Sequence, residues 1–440
     1  MKLNLKDKIK KLEKIDPLRV YGRISKIVGL TIESEGPPSS VGEVLKLEGN
    51  NNGNNNINVP LQVIGFNGSK VISMPFGDMK GISHGHLLYS TGEFPSIQMD
   101  ESYLGRVING LGQPLDDKGP LQGKQEINIY EDPVNAMIRR PITEIITTGV
   151  KSIDGLATLG KGQRIGIFSG SGVGKSTLLG MIARNTSAAV NVIALVGERG
   201  RELKDFITNS LGPEGLQRSV VVAATSDQPP LLKILSAFTA TATAEYFCDR
   251  GMDVMLMMDS VTRLAMAQRE VGLSAGEPPS TKGYTPSVFT MMPKLLERAG
   301  NFSGKGSITG IYTILVEGDD VTEPISDHAR SILDGHIVLS RDLAHRNHFP
   351  SVDVLGSLSR LMKDVVDEEH NKAAGLLREL LAVYREAEDL INIGAYAKGS
   401  NKKIDDAIAR IDKINAFLKQ AINEKVTFAD TLKQLKAVVQ

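Results

Sequence analysis

Hydrophobic and polar positions follow three successive patterns along the chain. Up to about residue 92, short β-branched runs such as LQVIGF and KVISMPF alternate with glycine and proline turns, which is typical of a small barrel or sandwich. From about residue 105 to residue 366, wholly apolar runs alternate with helical stretches, and this predicts a parallel sheet covered on both faces. Beyond residue 366 the apolar positions recur at helical spacing, which predicts a helical domain.

The first 16 residues form a separate, basic pattern. Six lysines accompany three acidic residues, and Leu5, Ile9 and Leu12 fall on one face of a helix. Such a helix can bind the groove of a partner protein or an anionic membrane surface, and a solvated helix without a partner is the alternative. The asparagine-rich residues 49–58 are predicted to form an exposed hairpin loop. We therefore divide the chain into a basic helix (1–17), a β-barrel domain (18–92), a core domain (93–365) and a helical domain (366–440).

Candidate chemistry begins in residues 164–177, RIGIFSGSGVGKST, where an apolar strand, a glycine-rich turn and a helix follow one another. The backbone N–H groups of such a turn cradle phosphates, and the N-terminus of the following helix adds partial positive charge. Lys175 is placed to reach the terminal phosphates, and the Ser176 hydroxyl to bind Mg²⁺. Ser169 stands where the usual pattern G-x-x-x-x-G-K-[ST] has its first glycine. The segment predicts nucleotide binding.

Two other predicted strands end in carboxylates. Asp259 follows the apolar run VMLMM, at the edge of a parallel sheet that faces ligands, and it can hold Mg²⁺ through water. A turn-capping aspartate is the alternative. Glu198 ends the run beginning NVIALV and is the candidate group that polarises the attacking water, with Arg199 and Arg263 as candidate phosphate ligands. A surface ion-pair cluster is the alternative for the charged segment around Arg199.

The late segment HFPSVDVLGSLSRLM supplies two further candidates. Phe349 can stack on adenine, although an aromatic side chain at such a position more often belongs to the core. Arg360 lies about 185 residues beyond the phosphate loop and after the last predicted strand. It can therefore serve the site of a neighbouring subunit as an arginine finger.

Composition narrows the functional class. Lys and Arg number 51, as do Asp and Glu, so the net charge gives no electrostatic argument for nucleic acid as the main ligand. The single cysteine, Cys248, excludes an intrachain disulfide and suits a reducing compartment. No apolar stretch reaches 18 residues, and the first 17 residues lack the apolar core of a signal peptide. These features predict a cytoplasmic protein.

The chain resembles the catalytic subunits of rotary ATP synthases and, more closely, the ATPases of type III protein export. The resemblance extends from about residue 18 to residue 440 and includes the segments LGRVINGLGQPLDDKGPL, GERGRE, MMDSVTRLAMAQREVGLSAGEPPSTKGYTPSVF and VEGDDVTEPISDHARSILDGHIVLSR. It implies an α/β fold: a RecA-like P-loop NTPase core with a small N-terminal β-barrel and a C-terminal helical domain. It also implies an ATPase that uses ATP and Mg²⁺.

The resemblance assigns a role to each candidate residue. Glu198 becomes the catalytic carboxylate, and Arg360 takes the position of the arginine finger. Phe349 takes the position of the adenine-stacking aromatic residue, which is commonly tyrosine in this family. Asp259 and Ser176 hold the magnesium ion, and Arg199 and Arg263 lie on the phosphate side. The nucleotide phosphates are bound by Ser169, Gly170, Ser171, Gly172, Val173, Gly174, Lys175, Ser176 and Thr177.

The C-terminal domain favours the export branch of the family. Rotary catalytic subunits carry a strongly acidic lever segment there, whereas this chain has DLINIGAYAKGSNKKIDDAI. We therefore predict ATP hydrolysis that energises flagellar protein export, including unfolding of export substrates and their delivery to the export gate. The injectisome is the alternative machine, and flagella are the commoner of the two systems.

Three other functions compete with the export ATPase. The missing acidic lever argues against a rotary pump subunit. An RNA translocase needs a basic and aromatic groove in its barrel, whereas the aromatic residues here are scattered. A non-catalytic ring subunit typically lacks the carboxylate at the position of Glu198.

The resemblance finally implies a set of partners. The chain is expected to form a homohexamer with a central stalk protein in the ring pore. A stator or regulator protein is expected at the N-terminal helix, and the export gate and chaperone–substrate complexes are further partners. The expected place is the cytoplasm, peripheral to the inner face of the cell membrane, without nucleic acid.

Overall fold

A computed structural model describes residues 19–48, 59–316 and 323–440. The predicted basic helix and the asparagine-rich loop lie outside these residues. The described residues divide into two compact units. The first consists of the residues up to Pro95 with Pro229–Leu232 and Glu270–Pro278, and the second of Ser96–Gln228, Lys233–Arg269 and Pro279–Gln440.

The first unit is built around a closed antiparallel barrel with the strand order β1-β2-β5-β4-β3-β6. Residues at alternate positions of the strands point inward, and Ile24, Ile32, Leu45, Leu61 and Leu88 are completely buried in its core. The barrel confirms the prediction made from the short β-branched runs. Its strands are β1 (Tyr21–Val28), β2 (Thr31–Glu35), β3 (Val44–Leu47), β4 (Leu61–Asn67), β5 (Lys70–Pro75) and β6 (Leu87–Ser90).

The second unit contains a nine-stranded sheet with the order β19-β18-β12-β17-β15-β13-β14-β8, in which β16 pairs with β17. All these pairings are parallel except β18 with β19 and β16 with β17. The sheet strands are β8 (Arg106–Ile108), β12 (Arg164–Ser169), β13 (Val190–Glu198), β14 (Ser219–Thr225), β15 (Val254–Asp259), β16 (Gly300–Asn301), β17 (Ser307–Leu315), β18 (Gly335–Leu339) and β19 (Val352–Ser359). Two small sheets pair β7 (Ser96–Met99) with β9 (Gln125–Asn128) and β10 (Ile145–Ile146) with β11 (Leu159–Gly160).

The central strands are buried along almost their entire length, which explains why the sequence shows continuous apolar runs there instead of alternation. Thirteen α-helices are found in the described residues, and they are α1 (Lys151–Leu156), α2 (Lys175–Asn185), α3 (Gly200–Asp205), α4 (Gly212–Gln217), α5 (Pro230–Cys248), α6 (Val261–Ala275), α7 (Pro286–Leu296), α8 (Pro324–Ile332), α9 (Arg341–His345), α10 (Met362–Val365), α11 (Glu368–Asn392), α12 (Lys402–Leu418) and α13 (Phe428–Val439). A π-helix, Phe206–Leu211, lies between α3 and α4. None of the described helices combines the length and apolar character needed to cross a membrane.

The last three helices confirm the predicted C-terminal helical region, and they pack on each other and on α1. Polar N-caps begin each of them: Asp367 for α11, Asn401 for α12 and Thr427 for α13 accept a bond from a backbone N–H. Phe417 of α12 is 3% exposed and lies against Gly155 of α1, where an added Cβ would come within 3.1 Å of its ring. The exact domain boundaries stay predictions.

We expect Phe417→Ala to lower the free energy of unfolding by about 3–5 kcal/mol, because it removes a buried ring and leaves a cavity between α1 and α12. Urea denaturation followed by circular dichroism measures the loss. Leu390→Ala on α11 is the control, because Leu390 is 50% exposed, and a change within about 0.5 kcal/mol is expected there. Equal losses in the two variants would contradict the packing described for Phe417.

Candidate active site

Three strands of the large sheet, β12, β13 and β17, end at one cleft with Ser169, Glu198 and Leu315. The cleft has a volume of about 680 Å³, a size within the range of small-molecule sites. The cleft lies at the carboxyl ends of the parallel strands, where open α/β sheets bind ligands. Its lining residues include Ser169, Gly170, Ser171, Gly172, Gly174, Lys175, Ser176, Thr177, Glu198, Glu202, Thr262, Arg263, Met266, Leu315, Val316, Glu323 and Arg341. Seven of them were not predicted as site residues from the sequence: Glu202, Thr262, Met266, Leu315, Val316, Glu323 and Arg341.

The phosphate loop connects β12 to α2 at this cleft. Gly172 and Gly174 have φ values of 78° and 88°, which side chains with a Cβ rarely adopt. No side chain caps the start of α2, so the first backbone N–H groups of the helix remain available to an anion. Ser169 is 2% exposed, and its hydroxyl has no hydrogen-bond partner among the described residues.

Lys175 joins the two predicted carboxylates. Its Nζ contacts Oδ1 of Asp259 and lies 3.9 Å from Oε1 of Glu198. Arg263 Nε lies 3.2 Å from the same oxygen of Glu198. Two cations therefore face two carboxylates that stand at the ends of the neighbouring strands β13 and β15. The strand before the phosphate loop, β12, is separated from β15 by β17.

Burial sets the acidity of Glu198. Its side chain is 12% exposed, and burial together with the nearby charge of Asp259 raises its pKa to about 7, against the opposing effect of Lys175 and Arg263. A carboxyl group that titrates near neutrality is suited to accept a proton from water.

Thr313 is a site residue that sequence reasoning missed. It is completely buried on β17, and its Oγ1 donates a hydrogen bond of 2.8 Å to Oδ1 of Asp259. In the sequence it is one of several polar residues in the run SITGIYTIL, a run typical of an ordinary strand. Only the position of β17 between β12 and β15 could have indicated its role.

Two donors beside the phosphate loop fit a magnesium ion. Mg²⁺ is usually bound by one or two carboxylates, several waters and the phosphates of a substrate. The Ser176 hydroxyl belongs to the cleft, and the Asp259 carboxylate contacts the preceding residue, Lys175. Among the described residues no cluster of three or more His, Cys, Asp or Glu side chains could hold a metal by itself. The donor set thus suits Mg²⁺ that arrives with phosphates.

Arg199 is not brought into the cleft. Its side chain is 73% exposed and forms an ion pair of 3.2 Å with Glu202. This is the arrangement expected of a surface ion-pair cluster, and the phosphate-side role of Arg199 stays a prediction.

Phe349 lies beside the phosphate loop. A Cβ added to Gly174 would be 3.6 Å from its ring, and the Ser351 hydroxyl donates a bond of 2.6 Å to the Val173 carbonyl. Phe349 is 41% exposed, so it is not a core residue. An exposed aromatic face at this place is available to a flat ligand.

Arg360 lies toward the opposite end of the sheet from the phosphate loop of its own chain. Ser359 pairs with Gly335, the first residue of β18, whereas Ser169 pairs with Leu339, the last residue of the same strand. The two levels are four residues apart on β18, and at about 3.3 Å per residue this is roughly 13 Å, farther than an arginine side chain extends. Arg360 is exposed, and none of the described residues forms an ion pair with it.

Comparison with known proteins gives consistent results. Residues 149–359 match the nucleotide-binding domain of the ATP synthase alpha/beta family, and residues 366–437 match the T3SS EscN ATPase C-terminal domain. A flagellum-specific ATP synthase of Bacillus subtilis is 50% identical over 97% of this chain and 97% of its own length. A type 3 secretion system ATPase of Xanthomonas euvesicatoria is 46% identical over 96% of this chain and 94% of its own length. The assembled ATPase EscN of the enteropathogenic E. coli type III secretion system superposes with a TM-score of 0.88 at 44% identity, covering 95% of this chain and 100% of that chain.

Proposed function

The chain belongs to the ATP synthase alpha/beta family, within which its relatives include flagellum-specific ATP synthases, and on this premise we propose that it hydrolyses ATP to energise flagellar protein export. The observation that carries the proposal is the convergence of Glu198 and Asp259 on Lys175, which with Glu198 lines the cleft at the phosphate loop. An anchoring cation, a water-polarising carboxylate and a metal-binding carboxylate are the groups that phosphoryl transfer to water requires.

Each of these residues has a separate task in hydrolysis. The loop amides and Lys175 hold the phosphates, and Lys175 exchanges its carboxylate partners for phosphate oxygens when the nucleotide binds. Ser176 and Asp259 would hold Mg²⁺, which would neutralise charge on the phosphate oxygens. Glu198 accepts a bond from the attacking water and orients it toward the terminal phosphate, with Arg263 beside it as a further cation.

Arg360 completes the site of the next subunit. Because it lies too far from its own phosphate loop, it acts in trans on the terminal phosphate of a neighbouring copy. Head-to-tail contacts of this kind close into a ring when the rotation between copies permits it, and we propose a homohexamer. The structural similarity to an assembled export ATPase supports this assembly.

Further partners follow from the relatives. One structural neighbour is EscN in complex with its central stalk EscO, which supports a stalk protein in the pore of the ring. A stator protein at the N-terminal helix, the export gate with chaperone–substrate complexes, and a cytoplasmic position at the inner face of the membrane rest on the resemblance alone.

The injectisome is the second candidate machine, because a secretion ATPase is 46% identical to this chain. Deleting the gene distinguishes the two. A flagellar role predicts loss of filaments and motility, restored by the wild-type gene, while any injectisome secretion continues. A deletion strain that swims normally would contradict the flagellar role, and purified protein that releases no phosphate from ATP in the presence of Mg²⁺ would contradict the ATPase.

We expect Thr313→Val to slow ATP turnover about tenfold and to raise the Mg²⁺ concentration needed for half-maximal turnover, because Asp259 loses a hydrogen bond that orients it. Thr313→Ser keeps the hydroxyl and should stay near wild type. Thr309→Val is the matched control, since Thr309 is equally buried on β17 but its hydroxyl accepts a bond from Gly162. An unchanged Mg²⁺ dependence in Thr313→Val would refute the orienting role.

A further inference from the structure

Hydrogen bonds connect the segment that follows α12 to the core next to the candidate nucleotide site. Gln420 is 5% exposed, and its backbone N–H donates a bond of 3.0 Å to the Phe349 carbonyl. Its side-chain Oε1 accepts a bond of 2.8 Å from the Lys151 N–H, and Nε2 donates bonds to the carbonyls of Gly149 at 2.8 Å and Glu424 at 3.0 Å. Both polar atoms of this buried side chain are therefore engaged, which fixes the place of residue 420 on the core.

Further contacts stabilise the turn around Gln420. Glu424 accepts a bond of 3.0 Å from the Ala421 N–H and forms an ion pair of 3.2 Å with Lys151. The Ile422 carbonyl accepts a bond of 2.8 Å from Arg184, which lies in the last turn of the helix that begins at the phosphate loop. These contacts hold the turn against both the start of α1 and the end of α2.

A backbone hydrogen bond connects Phe349 to this turn. Its ring is partly exposed, so core packing does not hold it as it holds the buried ring of Phe417. The backbone of its segment is fixed on one side by the bond from Ser351 to Val173 of the phosphate loop, and on the other by the bond from Gln420. The anchor from Gln420 is a backbone bond, and the side-chain bonds of Gln420 hold that backbone in place.

We propose that Gln420 is a positioning residue that holds Phe349 against the phosphate loop, and that it thereby couples adenine binding to the C-terminal helices. Gln420 lies two residues beyond Leu418, the last residue of α12. A displacement of α12 by a partner is transmitted through residue 420 to the Phe349 backbone. The proposal rests on the stacking role given to Phe349 in the proposed function.

The test compares a nucleotide with a ligand that lacks the base. We expect Gln420→Met, which keeps the length of the side chain and removes its hydrogen bonds, to weaken ADP binding about tenfold, within the range for loss of one base–aromatic stack. Binding of inorganic tripolyphosphate should stay unchanged, because it contacts only the loop. Gln420→Glu keeps the acceptor for Lys151 and should weaken ADP binding less, and this variant carries the test if the methionine variant does not fold. Both ligands are measured by calorimetry.

A double-mutant cycle identifies the route of the effect. If Gln420 acts through Phe349, Gln420→Met has no further effect on ADP binding in a Phe349→Ala background. Additive losses, or an equal loss of tripolyphosphate binding, would overturn the proposal. If Phe349→Ala alone leaves ADP binding unchanged, the stacking role fails instead. Gln163→Met is the matched control, because Gln163 is a buried, hydrogen-bonded glutamine that precedes the first residue of β12. The ratio of ADP to tripolyphosphate affinity should not change in this variant.

Discussion

We expect Lys175→Ala to abolish nucleotide binding, and Glu198→Gln to bind ATP while hydrolysing it hardly at all. The two side chains lie only 3.9 Å apart in the structure, yet they act on different parts of the substrate. Lys175 supplies a charge that the bound phosphates need in the ground state. Glu198 polarises water, and its amide replacement has nearly the same shape but accepts a proton far less readily.

The size of the first effect follows from the charges. Truncating one partner of a buried charge pair costs about 2–5 kcal/mol, so the affinity of Lys175→Ala for ATP should fall by roughly two to three orders of magnitude. The variant also leaves Glu198 and Asp259 facing each other without the lysine, which adds repulsion where phosphates would enter. Equilibrium binding of a fluorescent ATP analogue measures this loss.

The second effect is measured by steady-state phosphate release at saturating ATP. In Glu198→Gln the Kd for ATP should stay within a few-fold of wild type, whereas kcat should fall by about 10²–10⁴, the usual contribution of a general base. Lys372→Ala and Glu368→Gln serve as controls, because these residues form an exposed ion pair on α11. Hydrolysis by Glu198→Gln near the wild-type rate would remove Glu198 from the catalytic role.

The sequence was sufficient to predict that these residues lie together, because the loop of Lys175 follows one apolar strand of a parallel sheet and Glu198 ends another. The rule that such strands end at one edge brings Ser169, Glu198 and Asp259 together without knowledge of the strand order. The rule does not predict which way a side chain points once the strand has ended. Arg199 therefore looked the better phosphate ligand and Arg263 the weaker one, whereas in the structure Arg199 faces solvent and Arg263 faces Glu198.

Contacts between distant segments were beyond the reach of the sequence. Thr313 gains its role because β17 is inserted between two motif strands, an order that no local pattern encodes. Gln420 forms hydrogen bonds with Lys151 and Gly149, which lie 269 and 271 positions earlier in the chain. In the sequence it is one polar residue after an amphipathic helix. Periodicity predicts which face of an element is buried, but it cannot predict which hydrogen-bond donors that face will meet.

Arg360→Ala should be nearly inactive even when it still assembles. An arginine finger contributes about 10³–10⁵ in rate in nucleotidases that use one, so phosphate release should fall by a comparable factor while ATP binding persists. Activity of the wild-type protein should rise more steeply than linearly with protein concentration, because a monomer has no finger near its own phosphates. Sedimentation at the assay concentrations checks that the variant forms the same assembly.

Mixing two inactive variants tests whether the site is shared between subunits. Arg360→Ala keeps an intact loop, and Lys175→Ala keeps an intact finger, so a mixed ring contains interfaces with both intact parts. In a random equal mixture about a quarter of the interfaces have this composition, and partial recovery of hydrolysis is expected. Mixing Lys175→Ala with Glu198→Gln is the control and should recover nothing, because both changes lie on the loop side and no interface is complete. Mixed rings that form without recovery in the first pair would show that Arg360 does not act in trans.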